Sequence, residues 1–220
     1  MLVTAITASP RRNGRFDVVV DGAFAATLSL EAIERLRISV GANVDERLAA
    51  ALECEASIVA TYDRALNMIA LRARSTSELR RMLLRKGEPA ENVDVAIERL
   101  VRAGFLDDGN FAKQFTRAKA VGGGLSRRRV QQELSRRGVA REVANAAIDE
   151  VFAEEHVDEE GTLEQVARKK LKSLARFDAA VQRRRLYAFL ARRGYDSDDI
   201  ARTLRSVMSS EARADAPAAE

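Results

Sequence analysis

Residues Val130–Gly138 read VQQELSRRG, and the pattern they carry occurs three times in the chain. Counting back from Gly87, Gly138 and Gly194, the pentapeptides are Leu83-Leu84-Arg85-Lys86-Gly87, Leu134-Ser135-Arg136-Arg137-Gly138 and Leu190-Ala191-Arg192-Arg193-Gly194. The register extends further: eight residues before each glycine stands Leu79, Val130 or Leu186, ten after it Ile97, Ile148 or Leu204, and thirteen after it Leu100, Val151 or Val207. Apolar residues four apart, then a basic pair, then glycine describe the last turns of an amphipathic helix closed by a C-terminal glycine cap. The apolar pair that follows, three apart, forms a stripe on a second helix. The glycines lie 51 and 56 residues apart, which leaves room for a third helix per unit. The chain is therefore predicted to be mainly α, an elongated tandem array of three-helix repeats with a short N-terminal β-hairpin segment.

The predicted divisions are an N-terminal segment over 1–60, repeats over 61–106, 107–153 and 162–208, an acidic linker over 154–161, and a disordered tail over 209–220. A module of about 40 residues buries too little surface to stand alone, so neighbouring modules are expected to pack on one another.

Residues 1–14 end in Ser9-Pro10-Arg11-Arg12-Asn13-Gly14 and read as a mobile lead-in. Phe16–Val20 and Ala23–Leu28 read as strands joined across Asp21-Gly22, a pair that tolerates the positive φ of a type I′ turn. Ser29 is placed to cap a helix over Leu30–Leu36, which Val40-Gly41 breaks. From Asp45 the pattern is helical, with Leu48, Leu52, Ala56 and Val59 on one face running into Ala65, Leu66, Ile69 and Ala70, as one long helix or two. Ser75-Thr76-Ser77-Glu78 is a capping-box signature, and Ser126 stands at the equivalent position of the second unit. The third unit has Gln182 there, so Asp178 is the predicted cap. Gly104-Phe105-Leu106-Asp107-Asp108 reads as a glycine stop, an apolar latch and acids that cap a helix starting near Phe111. Gly122-Gly123-Gly124 reads as a hinge.

The net charge of +4 conceals segregation: −2 over residues 1–60, +3 over 65–105, +5 over 111–153, −5 over 154–160 and +7 over 161–208. One cysteine, Cys54, excludes an intramolecular disulfide framework, and its place beside an apolar helical face reads as a buried structural thiol. No secretory leader and no run of 18 apolar residues occurs, so a soluble, cytoplasmic protein is expected with no membrane partner. His156 is the only histidine, Asp107-Asp108 is more simply a helix cap than a metal pair, and the triple glycine lacks the Lys-Ser/Thr of a phosphate loop. No catalytic, metal or cofactor constellation is predicted.

Cations in the last turn of a helix offset its dipole, which explains any one of the pairs Arg85-Lys86, Arg136-Arg137 and Arg192-Arg193. Three pairs in register, joined by Arg127-Arg128-Arg129, Lys169-Lys170-Lys172 and Arg183-Arg184-Arg185, exceed what capping requires. Stacked modules would present them along a face suited to nucleic acid or to an acidic groove on a protein polymer. Sequence-specific operator binding is disfavoured, because Glu88, Glu91, Asp94 and Glu98 crowd the helix after Gly87 and Asp196, Asp198 and Asp199 open the one after Gly194.

The sequence resembles the RecX family of regulatory proteins over about residues 60–205. The resemblance rests on Ala65-Leu66 to Leu71-Arg72-Ala73-Arg74-Ser75, on Glu78-Leu79 to Leu83, and on Gly104-Phe105-Leu106-Asp107-Asp108 to Phe111-Ala112. It continues in Gly124 to Glu133-Leu134-Ser135-Arg136-Arg137-Gly138 and in Leu190 to Arg193-Gly194-Tyr195. It implies an all-α array that binds the RecA filament and restrains its recombinase, ATPase and co-protease activities without catalysis of its own, with contact to single- and double-stranded DNA as a further partner. Candidate contacts are Arg85, Lys86, Arg127, Arg128, Arg129, Arg136, Arg137, Lys169, Lys170, Lys172, Arg183, Arg184, Arg192 and Arg193. The expected arrangement is a monomer lying in the filament groove across neighbouring RecA protomers, each weak module contact multiplied by the others.

Overall fold

The computed structural model describes the backbone of residues 1–10 and 12–214, and side chains as far as residue 209. The chain forms two compact units that divide after Asp107.

The first unit opens with a three-stranded antiparallel sheet in the order β1 (Val3–Ala8), β2 (Arg15–Val20), β3 (Ala23–Ser29). Asp21 and Gly22 join β2 to β3 with φ of 48° and 81°, the two positive values that a tight hairpin turn requires. The lead-in over 1–14 is corrected: β1 pairs with β2 from Val3↔Val20 to Ala8↔Phe16. Its outer side is covered in turn, the Val3 N–H donating to the Ala42 carbonyl at 3.0 Å and the Val44 N–H to the Met1 carbonyl at 2.7 Å. Val3, Val18, Ala26 and Leu28 are buried against Ile33, Ile38, Val44 and Leu52. This core holds one face of the sheet; the register shift by which Val18 pairs with Ala26 but Val19 with Phe24 takes Phe24 out of step with Ala26 and Leu28 and leaves it exposed at the hairpin.

Helix α1 (Leu30–Arg35) starts where expected, the Ser29 hydroxyl accepting from the Ala32 N–H at 3.2 Å. Helix α2 (Glu46–Leu71) follows its Asp45 cap as one continuous rod of 26 residues. Leu48, Leu52 and Ala56 on its first half pack on the sheet, while Ala65 and Met68 on its second half pack on α3 (Thr76–Arg85) and α4 (Ala90–Arg102). A boundary between residues 60 and 61 thus falls inside a helix. Glu55 of α2 is only 4% exposed. Its carboxylate accepts from Arg99 of α4 at 2.6 and 3.1 Å and pairs with Arg35 of α1, tying the sheet side of the unit to the first repeat. Cys54 is exposed, which corrects its reading as a buried thiol: at 100° per residue it lies far round the helix from Leu52, and the inward position is Glu55.

The second unit begins with α5 (Asp108–Thr116), which widens into a π-turn over Arg117–Val121. Then come α6 (Arg127–Arg136), α7 (Arg141–Glu154), α8 (Glu159–Lys172), α9 (Ala179–Arg192) and α10 (Ser197–Ala214). The second half of α2 with α3 and α4 forms one three-helix module, α5 to α7 the next and α8 to α10 the last. Leu79, Leu83, Val130, Leu134, Leu186 and Leu190 are fully buried, and so, to within 8% exposure, are Ile97, Leu100, Ile148, Val151, Leu204 and Val207. Each buried aliphatic side chain of this size contributes on the order of 1.5–3 kcal/mol.

Gly87, Gly104, Gly138 and Gly194 all adopt positive φ, between 74° and 89°. After Leu83 and Leu134 the chain reverses through the same double bond, Glu88 and Val139 donating back to those leucine carbonyls at 3.2 Å. Leu106 is the buried latch, whereas Phe105 is 58% exposed, so only one of the two apolar residues serves that role. Asp108 lies in the first turn of α5, three residues earlier than the expected start near Phe111. Helix α7 reaches Glu154 and α8 begins at Glu159, which shortens the acidic linker of 154–161 to a turn in which His156 takes a φ of 49°. Helix α10 runs to Ala214, so the predicted tail does not begin at Ser209; residues 215–220 lie outside the described residues.

Candidate partner-binding surface

The three basic pairs share a sequence position but not a role. In the first, Arg85 and Lys86 are exposed and form no ion pair among the described residues. In the second, Arg137 donates to the Glu133 carbonyl and carboxylate, both at 2.8 Å, and lies 4.5 Å from the Phe115 ring centre. Arg136 is exposed and reaches Glu133 at 3.5 Å. The hydrogen bond from Arg137, with the charges of Arg129 and Arg136 added, holds the Glu133 carboxyl below the usual glutamate range. In the third, Arg192 is exposed and without an ion pair among the described residues, while Arg193 turns inward.

Arg193 donates to the carbonyls of Gly123 and Gly124, the second at 3.3 Å. Beside it the Tyr195 hydroxyl donates to Gly124 at 3.2 Å, and the Arg193 carbonyl accepts from the Ser126 N–H at 3.0 Å. Burial, reinforced by Glu159 and opposed by Arg193, pushes the Tyr195 phenol up to about 12. A Cβ on Gly124 would meet Val166 Cγ2 at 2.5 Å, and one on Gly194 would meet Arg129 Cβ at 2.5 Å and Ser126 Oγ at 2.6 Å. The triple glycine is therefore a socket for the third module and not a hinge: without side chains, its backbone carbonyls come within reach of the turn after α9.

The run Arg127-Arg128-Arg129 is also engaged within the unit. Arg127 pairs with Asp149 and lies 5.4 Å from the Phe152 ring centre. Arg128 donates from Nε to the Gly194 carbonyl at 3.1 Å, satisfying a carbonyl at the end of α9, and Arg129 reaches Glu133 at 2.8 Å. The acidic block is matched in turn: Glu154 and Glu155 pair with Arg117, and Glu159 accepts from the Arg127 N–H at 2.9 Å.

Uncommitted cations gather in the third module. Lys169, Lys172, Arg183, Arg184 and Arg192 are exposed and form no ion pair among the described residues. Lys170 is half-buried with its ammonium 5.3 Å from the Phe189 ring centre. Repetition of the motif pointed to one continuous face; the structure instead leaves the second module's arginines largely in internal contacts. A signal for this was present in the sequence. The second member of the pair is Lys in the first repeat but Arg in the other two, and a planar guanidinium lies on a ring while donating in its own plane more readily than an ammonium does. Glu55, which interrupts an apolar stripe, was the other missed signal. Among the described residues no group of His, Cys, Asp and Glu could hold a metal ion, and no helix is long and apolar enough to cross a membrane.

This architecture defines a tandem three-helix-repeat protein with a small N-terminal sheet. Models of the first, second and third three-helix domains of RecX match residues 62–100, 107–148 and 158–204. The regulatory protein RecX of Pelodictyon phaeoclathratiforme is 33% identical over 153 residues, which span 70% of this chain and 92% of that one. That of Amycolatopsis mediterranei is 40% identical over 129 residues, 59% of this chain and 72% of its own. A crystal structure of regulatory protein RecX shares the fold with a TM-score of 0.73 at 18% identity, covering 93% of this chain and 98% of that one. RecX from Lactobacillus salivarius gives 0.54 at 16% identity, over 69% and 96%. The chain belongs to the RecX family, whose named members are regulatory proteins.

Proposed function

We propose that this chain is a non-catalytic regulator that binds the RecA–DNA filament and restrains its recombinase, ATPase and co-protease activities in the cytoplasm, within recombinational repair and the SOS response. The observation that carries the reading is the set of uncommitted cations on the third module, Lys169, Lys172, Arg183, Arg184 and Arg192, joined by Arg85 and Lys86 on the first. Such cations leave the molecule able to meet acidic protein surface and phosphate without first breaking an internal pair. Several weak contacts on one chain multiply through effective concentration, so a polymer that repeats its surface is favoured over the free protomer. A monomer that bridges adjacent protomers would oppose the rearrangements of ATP turnover and strand exchange.

The test is RecA ATP hydrolysis on single-stranded DNA, with the protein added below stoichiometry after filaments have formed and binding to bare DNA followed in parallel. Strong inhibition with much weaker bare-DNA binding supports the reading. A second reading, a helical module acting directly on nucleic acid, is favoured by Tyr187, an aromatic 42% exposed one turn beyond Arg183 and Arg184 where a base could stack. Unchanged hydrolysis with tight, salt-sensitive DNA binding would select it.

A further inference from the structure

Two grooves flank the junction of the second and third modules, and their charges differ. One, at the starts of α6, α8 and α10, has a volume of 480 Å³ and sets Glu159, Glu160, Asp196 and Asp199 against Arg127, Arg128 and Arg202. Four carboxylates in its walls already face its three guanidiniums. The other runs between α8, α9 and the Gly122–Gly124 loop, with a volume of 570 Å³. Lys169, Lys170 and Arg193 line it, none of its lining residues is acidic, and Val121, Val166 and Phe189 give it an apolar floor. Val121 is 48% exposed there, and Lys169 forms no ion pair among the described residues.

We propose that this second groove binds an acidic protein segment carrying an apolar side chain. The carboxylates of the segment meet Lys169 and Lys170, and its apolar side chain lies on Val121, Val166 and Phe189. Charge complementarity selects the acids, because three cations face the groove with no carboxylate among them to compete. The floor selects protein over nucleic acid. Single-strand binding draws its affinity from bases stacked on open rings, but the Phe189 ring already carries Lys170 at 5.3 Å and Arg193 at 4.5 Å. Arg193 spends its Nη1 on the glycine carbonyls and its Nε is buried, so it supplies positive field without an exposed fork for phosphate. An aliphatic or aromatic side chain, by contrast, needs only the exposed surface of the two valines and the ring edge. The inference does not depend on the RecA reading, and its test contains no RecA.

The test uses the full chain and fluorescence anisotropy with three probes: a labelled peptide DELFDE, its apolar-to-serine counterpart DESSDE, and an oligonucleotide of twelve thymidines. The expected result is DELFDE binding that weakens with salt and is about tenfold tighter than DESSDE. Lys169→Glu with Lys170→Glu should weaken DELFDE about tenfold or more, and Val121→Asp should weaken it as well, with each variant folded at the assay temperature by circular dichroism. Absence of DELFDE binding, equal binding of DESSDE, or undiminished binding by the double variant overturns the proposal. So does oligonucleotide binding that displaces DELFDE and is lost in the double variant, which would make the groove a nucleic-acid site.

Discussion

The hydroxyl of Tyr195 donates to the carbonyl of Gly124 at 3.2 Å across 71 residues of sequence. This bond, with those of Arg193 beside it, joins the turn after α9 to the glycine loop before α6, so the second and third modules form one packed body.

Two glycines of the same repeat position should therefore differ in their response to a side chain. Gly87 has a φ of 84° and nothing within 4 Å of an added Cβ, so Gly87→Ala carries only the left-handed penalty of about 1–2 kcal/mol. Gly194 has a φ of 89° and the Arg129 Cβ at 2.5 Å, so Gly194→Ala should cost roughly 1–3 kcal/mol more. Urea unfolding followed by helical circular dichroism measures both, and equal losses would contradict the close packing at Gly194.

Glu55→Ala should lower stability by roughly 1–3 kcal/mol, because it leaves Arg99, whose side chain is 16% exposed, without its carboxylate. Thermal unfolding checks this. Replacing Arg35, which is 46% exposed on the same carboxylate, should cost much less.

Acid and alkali act on different pairs. The Glu133 carboxyl is depressed below its ordinary 4.5, so its contribution is present above that value and is lost as pH falls through the lower folded-state value. Glu133→Gln should flatten the stability profile below pH 4.5. The Tyr195 phenol is raised from 10.0 to about 12, so its contribution is complete below pH 10 and is lost as pH rises toward 12. Tyr195→Phe should flatten that alkaline limb, as read by denaturation at fixed pH.

If the uncommitted cations meet the filament, then Lys172→Glu, Arg183→Glu and Arg184→Glu together should raise the concentration for half-inhibition of RecA ATP hydrolysis by about tenfold or more, leaving the unfolding curve unchanged. Arg137→Glu should instead destabilise the second unit, because Arg137 is bound to Glu133 and stacked near Phe115.

What could be read from the residues alone was local or repeated. The caps Ser29, Ser75, Ser126 and Asp178 each announce a helix start through a side chain that accepts from the N–H three residues on. The buried leucines follow from spacing. Strand β1 is only weakly legible: VTAITA carries the β-branched Val3, Thr4, Ile6 and Thr7 with Pro10, Asn13 and Gly14 behind it, but its apolar and polar residues do not alternate cleanly, and pairing with β2 makes it a strand. The roles of Arg128 and Arg193 were hidden for a related reason. Periodicity says which side of a helix a residue occupies, not which neighbour stands there, and their acceptors are backbone carbonyls 66 to 70 residues away.

Helix α2 has a further consequence as a gear between the sheet and the first module. Insertion of a single residue near Ala60 would turn one half of the rod about 100° against the other and move it about 1.5 Å. Glu55 would then no longer face Arg35 and Arg99 together, and Asp63, which holds Arg12 at 3.0 Å and Arg15 at 2.8 Å, would swing away from the hairpin. A single substitution along this helix disturbs the contacts of one side chain, whereas a change in its length puts the two halves out of phase at once.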